Sequence, residues 1–89
     1  MRAFLVFISG KVQGVGMRYF IRKNALANNI SGYAKNLPDS RVEALLIGQE
    51  QRINELLRLI KEESPGFVKD VVVKEVEVPE EWLGKFEIL

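Results

Sequence analysis

Residues 3–8 form an unbroken apolar run rich in aromatic and branched side chains, the pattern of a strand buried on both faces. Ser9-Gly10 and then Gly14-Val15-Gly16 break that pattern, so the sequence predicts a central strand followed by a glycine loop. From Met17 to about Asn28, the residues Phe20, Ile21 and Ala25 give a helical stripe, and Asn28-Asn29 offers a left-handed residue to end it. Two strand-like runs, 30–36 and 41–48, flank Leu37-Pro38-Asp39-Ser40, where Pro sets one turn dihedral and Asp can bond its own backbone; this reads as a hairpin. Ile53, Leu56, Leu57 and Ile60 then fall at i, i+3, i+4 and i+7, with Glu50 near the start and Pro65-Gly66 after the end, which predicts a second helix.

Residues 68–78 are rich in Val, but the apolar phase changes: Val71 and Val73 share one face while Val72, Val76 and Val78 share the other. Either a bulge or burial on both faces follows. In residues 84–89, Phe86 and Ile88 alternate with Lys85 and Glu87 as in a short final strand. The predicted order is βαββαβ with a short C-terminal strand, an α+β split-βαβ arrangement with two helices on one face of a mostly antiparallel sheet. Such an architecture carries many functions, so function must come from the residues of a site.

Eighty-nine residues suffice for a single domain, residues 1–89, whose site is built from the same elements as its core. A net charge of +1 provides no broad basic field, which argues against a nucleic-acid binder and leaves room for a small anion held by one local cation. An RNA-binding sheet would also need exposed strand aromatics beside basic residues, and only Phe4, Phe7 and Tyr33 are available. The absence of Cys removes disulfides, thiolate zinc sites and Cys nucleophiles; the absence of His removes Ser-His pairs and imidazole ligands. The first apolar run is too short for a signal core or a membrane span, which sets the expectation of a cytoplasmic protein with no membrane partner.

Gly14 and Gly16 lie between a strand and the start of a helix, where unpaired backbone N–H groups converge and the helix dipole adds positive character. Arg18 adds a guanidinium that can bind phosphate oxygens in pairs. Taken alone, these residues are better described as a tight turn with a solvated Arg18, and Asn36 as a strand-end residue that bonds the turn at Leu37-Pro38. A nucleotide fingerprint is absent, because no third Gly follows at the required spacing and no Gly-Lys-Ser/Thr ends the segment.

The string Gly10-Lys11-Val12-Gln13-Gly14-Val15-Gly16-Met17-Arg18 resembles the first signature of the acylphosphatase family, and Gly32-Tyr33-Ala34-Lys35-Asn36 resembles the second. The resemblance runs from about Phe4 to Ile88. It implies a ferredoxin-like sandwich and hydrolysis of the carboxyl–phosphate bond of acyl phosphates to carboxylate and inorganic phosphate, with no metal and no cofactor. At matching positions it implies that Arg18 binds and neutralises the phosphoryl group and that Asn36 orients the attacking water. Gly14, Val15, Gly16 and Met17 would contribute mainly backbone donors. Inorganic phosphate would be both product and competitive inhibitor, and a free-standing monomer is expected.

Three positions depart from the pattern. Ser40 stands where the family usually has Gly, Asn28 interrupts the apolar face of the first helix, and Met17 replaces the commoner aromatic before Arg18. The alternative to an enzyme is a non-catalytic module that holds phosphate or an acyl phosphate, as a fragment of a larger maturation enzyme.

Overall fold

The computed structural model describes residues 1–89. Five strands and two helices follow in the order β1 (Arg2–Lys11), α1 (Met17–Ala27), β2 (Ser31–Asn36), β3 (Val42–Gly48), α2 (Glu50–Glu63), β4 (Phe67–Val76) and β5 (Phe86–Ile88), with a 3-10 turn at Glu80–Trp82 before β5. The sheet order is β4-β1-β3-β2-β5, antiparallel throughout except for the parallel β2–β5 pair. This is the predicted ferredoxin-like sandwich with its short extra strand. No helix is long and apolar enough to cross a membrane.

Strand alternation divides the apolar residues between two faces. Val6, Ile8, Ala34, Val42, Ala44 and Leu46 meet Met17, Ile21 and Ala25 of α1 and Ile53, Leu56 and Ile60 of α2 in the main core. The i, i+3, i+7 spacing in α2 is what turns Ile53, Leu56 and Ile60 onto one stripe. On the opposite face a smaller cluster forms around Ala3, Leu45 and Ile47, with Tyr33, Val76, Val78 and Trp82 packed against it. The Tyr33 and Trp82 rings lie 4.9 Å apart, so the segment that connects β4 to β5 covers part of this face.

Two sequence expectations needed revision in detail. β1 does not stop at Ser9-Gly10 but continues to Lys11, because β4 keeps pairing with it through a bulge: Ser9 is opposite Asp70 and Gly10 is opposite Val68, leaving Lys69 unmatched. Gly10 has φ +125°, and a Cβ there would lie 2.3 Å from the Phe67 carbonyl oxygen, so this glycine permits a close strand approach rather than ending the strand. The phase change in 68–78 has both suggested causes at once. The bulge lets Val68 and Val71 both reach the main core, while Val76 and Val78 pack on the far face. β4 itself ends at Val76, short of Val78.

Asn29 adopts φ +55° just after α1, as the Asn28-Asn29 pair suggested. Ser40 has φ +78°, a left-handed conformation that strains a side-chain-bearing residue. Gly would remove that strain but carries its own unfolded-state entropy, so Ser40→Gly is expected to range from neutral to about 1 kcal/mol stabilising in urea denaturation. A clear loss of stability would instead give the Ser40 side chain a role in the turn.

Candidate active site

The loop between β1 and α1 is anchored below by buried Val12 and Met17 and opens above Gly14 and Gly16. These glycines have φ +74° and +87°, and a Cβ on either would meet nothing within 4 Å. Glycine is therefore needed for the backbone dihedral, and the space beside it stays open. Gly16 is the N-cap of α1, no side chain caps that helix end, and no acidic residue occupies its first turn. The first amide donors of α1 therefore face outward with neither a side-chain acceptor nor a competing carboxylate, and the dipole adds its positive end. Met17 turns its side chain into the core, leaving only its main chain to the loop.

Arg18, in the first turn of α1, donates from Nη1 to the main-chain oxygen of Leu89 at 2.9 Å. Leu89 in turn donates its amide to the Ala34 carbonyl at 2.9 Å, which ties Arg18 to β2 two residues before Asn36. One helical turn later, Arg22 Nε donates to the Phe86 carbonyl at 3.1 Å, so two arginines lash α1 to β5 and the residue that follows it. Asn36 ends β2 opposite Val42, on the same face as buried Ala34 by strand alternation. Its side chain is exposed and makes no hydrogen bond within the chain.

The loop and the hairpin are joined by a residue that sequence reasoning passed over. Gln13 Nε2 donates both hydrogens, to the Leu37 carbonyl at 2.8 Å and the Arg41 carbonyl at 2.9 Å. The turn is closed further by the Leu37 amide on the Arg41 carbonyl at 2.8 Å and by the Arg41 amide on Asp39 Oδ1 at 3.2 Å. That Arg41 amide, with the guanidinium adding to it, holds the Asp39 carboxyl below its ordinary pKa. The hairpin turn is thus bonded by Gln13 and Asp39, and Asn36 takes no part in it. Gln13 carried no signal in the amphipathic pattern, since its role depends on two carbonyls from residues far along the chain.

Gly14 to Arg18 therefore lie on one side and Asn36 on the other, held together by Gln13 on the hairpin side and by Arg18, through Leu89, on the β5 side. Lys35 points to the opposite face, where it sits 3.7 Å from Glu43, and stays outside this group. Three surface concavities lie elsewhere, one between Leu26, Ile30 and Lys85, one between Lys61, Val68 and Val71, and one beneath Tyr33 and Trp82. A shallow cup of main-chain donors beside one guanidinium suits a small tetrahedral anion.

The family model described as Acylphosphatase matches residues 4–88. A protein named acylphosphatase from Methanocella arvoryzae is 46% identical over 78 residues, covering 86% of this chain and 89% of that one. One from Archaeoglobus fulgidus is 43% identical over 79 residues, covering 88% and 89%. The crystal structure of acylphosphatase from Bacillus subtilis superposes with a TM-score of 0.92 at 34% identity, over 100% of this chain and 99% of that chain. Full-length HypF, in a phosphate- and nucleotide-bound form, matches with a TM-score of 0.88 at 33% identity, over 99% of this chain but 12% of its own.

Proposed function

The chain belongs to the acylphosphatase family, and on that premise we propose that it hydrolyses the carboxyl–phosphate bond of small acyl phosphates with the loop, Arg18 and Asn36 as its site. The observation that carries this reading is the open, left-handed Gly14–Gly16 turn at an uncapped helix end, beside Arg18 and across from an Asn36 side chain with no internal partner. Residues 1–89 act as one domain, and a cytoplasmic location belongs to the same proposal.

An acyl phosphate already has a weakly basic carboxylate as its leaving group, so departure needs no general acid. What the protein must supply is geometry and charge. Phosphoryl transfer spreads negative charge over the equatorial oxygens, which the amides of Gly14 to Met17 and the Arg18 guanidinium stabilise. Asn36 holds a water in line with the leaving oxygen and contributes alignment more than basicity. Water oxygen bonds to phosphorus as the phosphorus–acyl oxygen bond breaks. The electron pair leaves with the carboxylate, and the water proton passes to a phosphate oxygen. No metal enters this scheme, and inorganic phosphate, seated in the same loop, inhibits competitively.

Gln13 enters as the strut between the two halves of the site. In Gln13→Leu the Leu37 and Arg41 carbonyls keep their turn partners, so the stability loss is expected to stay near 1 kcal/mol. Misalignment of the hairpin should lower kcat by about tenfold or more and leave phosphate inhibition nearly unchanged. Equal losses in both would place Gln13 in phosphate binding instead.

The test of the proposal is release of phosphate from an aromatic acyl phosphate, followed by ultraviolet absorbance. The chain also matches a small part of the much longer HypF chain, seen in a phosphate- and nucleotide-bound form, and the second reading is a domain that binds phosphate without turnover. Saturable binding with no phosphate release would establish that reading.

A further inference from the structure

β4 is an outer strand of the sheet, pairing with β1 on one side only, and its central residues are poorly covered: Val72 is 52% and Val73 42% exposed. An uncovered strand of this length is a template for another strand unless it is blocked. In this stretch the block is slight. The Lys69 bulge lies at one end, and the Val71 amide is met by the carboxylate of its own neighbour, Asp70 Oδ1, at 3.0 Å. That side chain can turn away when another acceptor arrives.

The order of residues in this strand is self-complementary. If two copies of Asp70-Val71-Val72-Val73-Lys74 run antiparallel about a two-fold axis through Val72, Asp70 of each copy faces Lys74 of the other, Val71 faces Val73, and Val72 faces itself. Cross-strand neighbours share a face, so the pairing also sets like with like on each side of the sheet. A slip by two residues places Asp70 or Lys74 opposite a valine. A slip by four places Asp70 against Asp70 or Lys74 against Lys74, so only one register satisfies both charges.

The geometry points to a second copy of this chain as the partner of β4, joining two sheets into one across a two-fold axis, in place of the monomer expected from sequence. The contact is one strand wide, so the dimer forms weakly and depends on concentration. β4 is separated from β2 and β5 by the rest of the sheet, so the inference is independent of the catalytic reading.

Sedimentation velocity from about 10 μM to about 1 mM tests it. The mass should rise with concentration towards twice the 10.1 kDa chain and fall back at high salt. Asp70→Lys should raise the dissociation constant at least about tenfold, and the double swap Asp70→Lys with Lys74→Asp should restore association, with phosphate release unchanged in both. A mass of 10.1 kDa at every concentration overturns the proposal, as does association that Asp70→Lys leaves unchanged or that the swap does not recover. If Asp70→Lys fails to fold, the salt dependence of the wild-type chain decides: association that persists unweakened at high salt is also fatal to it.

Discussion

Arg18→Gln is expected to lower kcat for an aromatic acyl phosphate by about a hundred- to a thousandfold, the loss typical of removing one donor aimed at transition-state charge, and to weaken inhibition by phosphate. The residue is half-buried and its one side-chain hydrogen bond is to the Leu89 main-chain oxygen, so the fold should lose little stability, about 1 kcal/mol. Thermal unfolding beside kinetics separates the two effects. Lysine should rescue poorly, because an ammonium is a point charge and cannot span two phosphate oxygens as a planar guanidinium does. Near-normal turnover with unchanged inhibition in a folded Arg18→Gln protein would remove Arg18 from the site.

Asn36→Ala should act differently. The side chain is exposed and makes no hydrogen bond in the chain, so its loss should leave stability within about 0.5 kcal/mol. If it aligns water, kcat falls by about a hundredfold or more while phosphate inhibition stays close to that of the parent, because phosphate binding needs the loop and Arg18 but no oriented nucleophile. Inhibition that weakens more than kcat would move Asn36 from water handling to phosphate binding. The two variants together thus divide the site into a part that holds phosphate and a part that uses the water.

The two variants draw on features that differed in how readable they were. The α2 stripe was plain because Ile53, Leu56 and Ile60 recur at the helical period, a local property of the chain. The hairpin was plain because Pro38 and Asp39 carry turn chemistry of their own. Gly10 was misread as the end of β1, since a glycine that permits close approach to another strand looks the same in sequence as one that breaks a strand; the Phe67 carbonyl distinguishes them. Ser40 departed from the family's usual Gly yet takes the left-handed dihedral, so the tertiary frame imposes that conformation on a residue that resists it.

The candidate site follows the same division. Gly14, Gly16, Arg18 and Asn36 were legible as two signatures, but by composition alone they were also a tight turn, a solvated arginine and a turn-bonding asparagine. The sequence by itself determined the order of elements, the buried stripes and the side chains available for chemistry, because helical period, strand alternation and turn residues act over a few positions. Only the tertiary structure decided that the β1 loop meets the end of β2, that Gln13 rather than Asn36 bonds the hairpin, and that Arg18 is held by Leu89 just past β5. Those outcomes are contacts between residues 24 to 71 positions apart, fixed when the sheet closes and by no pattern within either segment.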